Sequence, residues 1–245
     1  LSQKRSSYRN WVEALAHYQD SAQGQQDLAF WLAQSEQLQG IHPAFEATAY
    51  RNRDIQHHRL ALSPSHTEQL LKHCHQAYGT EINDLLLTAV MLSYHQATGE
   101  QQLLIDLEGH GREPFDPAID ITNTLGWFTS IYPVNLALSH PQDIGQSIKE
   151  VKTALHAIPN KGLGYSIFRY MNQHEAIQRM PAAQVVFNFL GDFQSGEGDS
   201  SGRYFSFSEQ ATGQMSSDQK EVHQLVSING LIAFDQLTFT FSYPK

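Results

Sequence analysis

The sequence predicts a mixed fold of the α/β or α+β class, on three observations. The 245 residues are 40% hydrophobic, which is enough for a sizeable core and excludes disorder of the whole chain. Some segments repeat their apolar residues at helical spacing, and others alternate them as strands do. The two kinds of segment are interspersed along the chain, which favours a sheet packed with helices.

Helices are predicted where apolar residues recur every three or four positions. The clearest segment is 83–99, for which Asn83 is the expected N-cap; it is apolar on nearly every face and is therefore expected to be buried. Ser63 and Pro64 together predict the start of another helix. The spacing predicts helices over residues 8–18, 27–38, 63–78, 83–99, 144–158 and 165–171.

Strands are predicted where apolar residues alternate or form short runs. Pro133 has no N–H to donate and must fall at an edge, an end or a bulge. The last two strands are expected to form an antiparallel hairpin that turns at Asp235–Gln236 rather than Asn229–Gly230, because that leaves strands of matched length. The pattern predicts strands over 57–62, 103–107, part of 127–138, 184–190, 225–234 and 237–243, a connector over 40–54, and a loop over 194–219 around Tyr204, Phe205 and Phe207.

Charge and cysteine content limit the function classes. Sixteen Lys and Arg against 25 Asp and Glu give a net charge of −9, so no uniform positive field favours nucleic acid. The single cysteine, Cys74, cannot form an internal disulfide, which favours a cytoplasmic protein. Its side chain is expected to be a small buried hydrophobe. No segment has the length of a membrane span or the pattern of a signal peptide, so no membrane partner is expected. The first residue is Leu, and we expect the chain to be a piece of a longer polypeptide.

The strongest candidate for chemistry is the segment 108–113, with the sequence EGHGRE. Glu108 ends an apolar strand, and partial burial there would raise the pKa of its carboxyl group toward the range useful for proton transfer. Gly109 and Gly111 permit a close backbone approach or a positive φ, and Arg112 offers a permanent cation. The alternative is a glycine-containing turn with an exposed Glu and a solvated Arg.

The thirteen histidines do not predict a metal site. They are scattered, and no pair at helical spacing has a third ligand nearby. His73 and His75 lie two apart on a helix and therefore point in different directions. His57 and His58 are expected at the surface of a strand.

Three further segments contain candidate binding residues. The segment 126–134, GWFTSIYPV, is either the entry to a core strand, which would explain Phe128 and Ile131, or backbone close to a bound group at Gly126. The segment 159–165, PNKGLGY, is glycine-rich but is not a phosphate loop. Asn188 is an amide in an apolar strand and needs partners from the core or from a ligand.

These segments occur in an order that resembles the motif series of epimerization domains of nonribosomal peptide synthetases. The motifs that carry the resemblance are NDLLLTA (83–89), EGHGRE (108–113), NTLGWFTSIYPV (123–134), PNKGLGY (159–165) and FNFLG (187–191). The opening KRSSYRNW (4–11) also resembles the segment that links the two lobes of such domains. The resemblance covers the whole chain but only the second part of the family's domain.

The resemblance implies a fold and a set of partners. The fold is a chloramphenicol acetyltransferase-like lobe, a two-layer α+β sandwich with a mixed sheet flanked by helices. Residues 1–55 would form the inter-lobe helices and connector, and 56–245 the C-terminal lobe. The substrate would be an aminoacyl or peptidyl thioester on the phosphopantetheine arm of a peptidyl carrier protein, with no cofactor bound by this chain. The other partners would be the N-terminal lobe and neighbouring synthetase modules.

The resemblance also assigns residues to an inversion of the α-carbon from L to D. Glu108 is implied as an acid/base group, Arg112 as the residue that orients or balances it, and Asn188 as a residue of the same tunnel. The residues implied to bind substrate are His110, Gly126, Trp127, Phe128, Thr129, Tyr132 and Phe189.

This chain departs from the family pattern at several positions. The family's second acid/base group is a histidine of a His-His-x-x-x-Asp-Gly motif in the first lobe; His57–His58 has Leu62 where that motif has Asp. We therefore expect that this chain alone does not epimerize. Phe189 replaces a frequent Tyr, and Asn123 replaces a frequent Arg. The alternatives are a lobe of an amide-forming condensation domain and a non-catalytic module that docks a carrier protein.

Overall fold

Side-chain caps start several of the helices in the computed structural model, which describes residues 6–39, 49–192, 210 and 213–245. The Ser7 hydroxyl accepts a hydrogen bond from the backbone N–H of Asn10, and Ser21, Ser63 and Asp143 cap three further helices in the same way. The helices are α1 (Tyr8–Tyr18), α2 (Ala22–Gln37), α3 (Pro64–Lys72), α4 (Ile82–Thr98), α5 (Ile144–His156), α6 (Leu163–Ser166) and α7 (Glu175–Gln178).

The strands follow the predicted order. They are β1 (Tyr50–Arg51), β2 (Ile55–Ala61), β3 (Gln102–Gly109), β4 (Ser130–Ala137), β5 (Val185–Asp192), β6 (Glu221–Val222), β7 (Val226–Ala233) and β8 (Gln236–Pro244). The chain divides into two units, one formed by Leu1–Ala44 and Asn83–Ala183, the other by Phe45–Ile82 and Gln184–Lys245. The predicted division into 1–55 and 56–245 stays a prediction.

The first unit is built on the antiparallel pair β3–β4. Helices α5 and α6 both pack on β4. Pro133 lies on β4, at the edge of the strand order, where its missing N–H breaks no ladder; this confirms the sequence prediction. A cluster of buried residues joins α1, the loop before β4 and the segment 163–167; its members are Trp11, Leu15, Tyr18, Ile121, Phe128, Leu163 and Ile167.

The second unit contains a mixed sheet in the order β2-β8-β7-β5, in which β5 and β7 are parallel and the other pairs antiparallel. Helix α3 packs on β8, and the Thr67 hydroxyl of that helix accepts a hydrogen bond from the N–H of Leu237 at 3.0 Å. Phe239 and Phe241 lie on one face with their ring centroids 6.3 Å apart, as the alternation predicts. The strands β1 and β6 form a separate antiparallel pair.

Several sequence predictions are corrected at element boundaries. Helix α4 begins at Ile82, so Asn83 lies inside the helix and is not its N-cap. Helix α2 begins five residues before the predicted start, because Ser21 caps it. The final hairpin turns at Phe234 and Asp235, one residue earlier than predicted, and both residues have positive φ. Residues 50–54, predicted as connector, form β1 and a turn of 3₁₀ helix.

Burial corrects further predictions. Helix α3 ends at Lys72, and Cys74 lies in the 3₁₀ turn that follows; its thiol is exposed, not buried. Helix α4 is buried at Asp84, Leu86, Leu87, Thr88 and Met91, and its other large apolar side chains are half-buried, so the helix is at least partly buried on most of its surface, as predicted. His57 and His58 are exposed on β2, as predicted.

The two remaining predictions concern the loop 194–219 and membrane-spanning segments. Of the loop predicted over 194–219, the aromatic patch Tyr204, Phe205 and Phe207 lies outside the described residues. Among the described residues, the helices are either too short or too polar to cross a bilayer.

Candidate active site

Glu108 lies at the C-terminal end of strand β3. Alternate residues of this strand, Ile105 and Leu107 among them, are buried in the first unit. Glu108 is half-buried and lies opposite Ile131 of β4 in the antiparallel register. The sequence therefore places a carboxyl group at the boundary between the apolar interior and solvent.

Burial raises the pKa of Glu108 above its ordinary value. A carboxylate with a raised proton affinity is a stronger base than one in bulk water. The environment predicted for Glu108 from the sequence is the one that the structure gives it.

The chain turns sharply after Glu108, and glycine is required there. Gly111 has φ +66°, and a Cβ on it would lie 1.6 Å from the carbonyl oxygen of Phe128. A side chain at position 111 is therefore excluded both by the backbone conformation and by space. At Gly109 a Cβ would lie 3.1 Å from the Ser130 hydroxyl.

His110 and Glu113 form a contact on the outside of this turn. The Nε2 atom of His110 lies 3.3 Å from Oε1 of Glu113, and the backbone N–H of Arg112 donates to Nδ1 of His110 at 2.9 Å. The imidazole is therefore an acceptor at Nδ1 and carries its proton on Nε2 when neutral. His110 is exposed, and its predicted binding of substrate stays a prediction.

Arg112 holds the loop that leads to β4. Its guanidinium donates to the carbonyl oxygens of Ile121 at 2.7 Å and Thr124 at 3.0 Å, and its Cζ lies 4.0 Å from the ring centroid of Phe128. These contacts use the planar fork that distinguishes Arg from Lys. The loop contacts of Arg112 are observed in the structure. That Arg112 also orients Glu108 or balances its charge stays a prediction.

A cavity of about 550 Å³ opens beside this segment. His110, Arg112 and Glu113 line one side, and the loop 114–122 lines much of the rest. Trp11 closes it from α1, and its indole N–H is buried without a hydrogen-bond partner.

The segment 126–132 divides into exposed and buried residues. Trp127 is 80% exposed, and its carbonyl oxygen accepts a hydrogen bond from the Tyr8 hydroxyl at 3.0 Å. Phe128 is only 4% exposed and packs edge-on against Trp11, with the ring centroids 4.9 Å apart. Phe128 is thus a core residue, as one of the two sequence interpretations had it. Ile131, assigned to the core by the same interpretation, is 40% exposed, because it lies on the face of β4 opposite to the buried Tyr132 and Val134.

The other predicted residues of this segment are placed as follows. Gly126 is exposed, and a Cβ on it would lie 2.5 Å from the ring of Tyr8. Thr129 is exposed, whereas Tyr132 is buried on β4 and burial raises its pKa to about 12. Their role in binding substrate stays a prediction.

Asn188 and Phe189 belong to the second unit. Both are half-buried on β5, where Asn188 lies opposite Asn229 and Phe189 opposite Gly230 of β7. The structure therefore brings Arg112 and Phe128 into contact and joins Glu108 and His110 through one turn. It places Asn188 and Phe189 on a different unit of the chain.

Sequence reasoning missed Asp106, which lies on β3 two residues before Glu108. Burial raises the pKa of Asp106 to about 6, and the positive charge of Arg169 opposes that rise. The alternation of β3 could have found it, because residues 106 and 108 share one face of the strand.

No group of three or more His, Cys, Asp and Glu side chains is arranged to hold a metal ion in the part of the chain that the structure describes.

The family model of the condensation domain matches residues 1–245. Bacitracin synthase 2 of Bacillus licheniformis is 36% identical over 246 residues, which are 100% of this chain and 9% of that protein. Tyrocidine synthase 1 of Brevibacillus parabrevis is 34% identical over 258 residues, which are 100% of this chain and 23% of that protein. The chain thus spans less than a quarter of either relative.

Solved structures share the fold. The epimerization domain from the third module of tyrocidine synthetase B superposes with a TM-score of 0.85 at 32% identity, over 100% of this chain and 55% of that one. The first condensation domain of the CDA synthetase gives a TM-score of 0.57 at 17% identity, over 95% of this chain and 47% of that one, which shows likeness of fold alone. The predicted fold class, a chloramphenicol acetyltransferase-like lobe with a mixed sheet flanked by helices, is confirmed.

Proposed function

Since the chain belongs to the condensation-domain family, we propose that it is the C-terminal lobe of an epimerization domain. In this proposal it inverts the α-carbon of an aminoacyl or peptidyl thioester, from L to D, together with the N-terminal lobe. The substrate is held on the phosphopantetheine arm of a peptidyl carrier protein, and neighbouring synthetase modules supply and receive it.

The observation that carries the proposal is the position of Glu108. Its carboxyl group is half-buried at the end of β3, and burial raises its pKa. The glycine turn that follows holds the strand end close to β4, and Arg112 holds the next loop. The 32% identity with a solved epimerization domain over the whole chain supports the same activity.

The chemistry needs a base, an acid and a stabilised negative charge. The Glu108 carboxylate takes the α-proton: the C–H bond breaks, an O–H bond forms on Glu108, and the electron pair is delocalised onto the thioester carbonyl oxygen. A proton delivered to the opposite face of the α-carbon then gives the other stereoisomer. The resemblance implies a histidine of the N-terminal lobe as that second group.

The proposal is tested by following the α-proton in the complete domain. A carrier-bound aminoacyl thioester deuterated at the α-carbon is incubated with the domain, and loss of deuterium is followed by mass spectrometry. Glu108→Gln keeps the shape of the side chain and removes the base, so it is expected to slow the exchange by roughly 10²-fold or more. Glu13→Gln makes the same change of charge on the exposed face of α1 and is expected to leave the exchange unchanged.

An amide-forming role is the second candidate, because the matched family model is that of the condensation domain. Supplying a second, acceptor aminoacyl thioester separates the two activities. Deuterium loss without amide product supports epimerization, whereas amide product without deuterium loss would replace the proposal with condensation. Binding of the carrier protein with neither reaction would indicate a non-catalytic module that only docks the carrier protein.

A further inference from the structure

A second cavity, of about 200 Å³, lies in the first unit between α2, β4 and the C-terminal end of α5. Helix α2 contributes Phe30 and Trp31 to its wall, and β4 contributes Pro133 and Val134. None of the described residues that line it belongs to the segment 108–113. The cavity is therefore separate from the candidate active site.

Two buried polar groups of the residues that line this cavity have no hydrogen-bond partner in the part of the chain that the structure describes. They are the indole N–H of Trp31, which is a donor, and the side-chain oxygen Oδ1 of Asn135, which is an acceptor. Leaving a buried polar group unpaired costs about 1–3 kcal/mol, and nearly all such groups in native proteins are paired. A ligand that pairs with both groups explains the unpaired donor and the unpaired acceptor together.

The indole of Trp31 is held in place by its neighbours. Trp31 is only 1% exposed, and its ring centroid lies 5.1 Å from that of Phe30 and 4.9 Å from that of Tyr165. Asn135 lies within the β3–β4 ladder, opposite Leu104. Since the packing fixes the direction of the indole N–H, an acceptor for it has to be brought to that position.

The residues of the wall define the chemistry of such a ligand. No charged side chain is among the described residues that line the cavity, and Gln34 and Gln37 are the other polar residues there. A charge buried without a counter-charge is strongly unfavourable, so the ligand is uncharged. It must also accept one hydrogen bond and donate one, and an amide group does both.

The volume limits the size of the ligand. Pockets for drug-sized ligands measure about 300–1,000 Å³, so this cavity takes a smaller molecule. A water molecule takes up about 30 Å³ in the liquid, so one water would leave most of the cavity empty. The size therefore fits a small organic molecule.

We propose that this cavity binds a small uncharged amide. The carbonyl oxygen of the amide accepts a hydrogen bond from the indole N–H of Trp31, and its N–H donates one to Oδ1 of Asn135. The inference goes beyond the proposed function and does not depend on it. Because the ligand would bind the folded chain only, it would also stabilise the fold.

The test is NMR of the indole N–H signals of the ¹⁵N-labelled 245-residue chain, which has three tryptophans. Each signal is assigned by replacing its Trp by Phe. Benzamide is expected to shift the Trp31 signal in a saturable way and to leave that of Trp127, which is 80% exposed, unchanged. Acetophenone has the same shape but cannot donate, so it should bind about fivefold to tenfold more weakly. Benzoate is charged and should not bind.

Three variants locate the binding site. Asn135→Leu removes the acceptor and is expected to abolish the preference for benzamide over acetophenone. Asn83→Leu makes the same change at an exposed position of α4 and should keep the preference. Ala154→Leu enlarges a side chain that lines the cavity and should abolish the binding of both molecules.

The proposal is overturned if benzamide and acetophenone bind the unsubstituted chain equally well, a result that does not depend on any variant folding. No shift of the Trp31 signal by benzamide would also overturn it and would leave ordered water as the partner of the two groups. A preference for benzamide that survives Asn135→Leu would contradict the role of Asn135. Because no thioester is present, these results are independent of the deuterium assay, in which Glu108→Gln tests the proposed function itself.

Discussion

The guanidinium of Arg112 donates to two carbonyl groups and lies over the ring of Phe128, so this single side chain ties the loop 121–124 to the core. A Lys at the same position has one ammonium group and cannot reproduce the planar fork. We expect Arg112→Lys to lower the free energy of unfolding by about 1–3 kcal/mol, measured by urea denaturation. Arg9→Lys, in an exposed pair with Glu13, should change it little. Equal effects of the two substitutions would mean that the carbonyl contacts of Arg112 do not stabilise the fold.

Asp106 predicts a pH dependence of stability. Its pKa rises from 3.8 to about 6 on folding, so the folded chain favours the protonated group. The contribution of Asp106 is therefore full below about pH 4 and is lost as the pH rises through about 6. The loss amounts to up to about 3 kcal/mol at this one site.

Chemical denaturation between pH 4 and 7 checks this prediction. Relative to the unsubstituted chain, Asp106→Asn should gain free energy of unfolding as the pH rises, because its amide does not ionise. A difference between the two chains that stays constant over this range would show that Asp106 does not titrate with a raised pKa.

At the scale of elements, the segment 159–162 is a strained turn held by a buried network. Asn160 and Lys161 have φ of +47° and +48°, in the left-handed region. The amide of Asn160 donates to the Tyr18 hydroxyl at 2.6 Å and to both oxygens of Asp27 at 3.1 Å, and Asp27 is only 1% exposed. The PNKGLGY motif thus connects to α1 and α2 through hydrogen bonds that compensate for its strain.

Two substitutions at Asn160 separate the hydrogen bonds from the backbone strain. Asn160→Gly loses the bonds but tolerates the positive φ, and it should lower the free energy of unfolding by about 1–3 kcal/mol. Asn160→Ala also adds the left-handed strain and should lower it by about 1–2 kcal/mol more. Thermal and urea denaturation measure both. If Ala is tolerated as well as Gly, position 160 is not held in the left-handed region.

The turn between β7 and β8 is a second strained connection. Phe234 and Asp235 have φ of +52° and +58°, as a two-residue turn of type I′ requires, and Phe234 is 77% exposed. Asn and Gly adopt this geometry more easily than Phe and Asp. The double variant Phe234→Asn with Asp235→Gly should therefore be more stable by about 1 kcal/mol. The control replaces both residues by Ala, which removes the same side chains without favouring positive φ; equal stability of the two variants would contradict the explanation.

At the scale of the whole molecule, the family's second acid/base motif is absent from these 245 residues. We expect the isolated chain not to convert a carrier-bound L-aminoacyl thioester into its D form, whereas the complete domain does so; chiral analysis of the released amino acid measures this. Adding the separately expressed N-terminal lobe should restore inversion. Inversion by the isolated chain would show that the second proton donor lies within it or is solvent.

The sequence predicted most of the elements because each depends on local patterns. Ser63 and Pro64 start α3, the apolar run of β3 is a strand, and the final two strands form a hairpin. Predictions of burial fared less well: Cys74 is exposed, and Ile131, which one interpretation assigned to the core, is 40% exposed. The exposure of a residue depends on what packs against it from distant parts of the chain, and no local pattern encodes that.

The amino-acid order alone determined the family, the glycine turn after Glu108 and the presence of a carboxyl group at a strand end, because motif and alternation are properties of neighbouring residues. Only the tertiary structure decided that Arg112 binds the carbonyl groups of Ile121 and Thr124, and that Arg169 provides the charge beside Asp106. The residues of these pairs lie 9 to 63 positions apart in the chain. Their contacts, and the raised pKa of Asp106, therefore arise only when folding buries the side chains and brings the charges together.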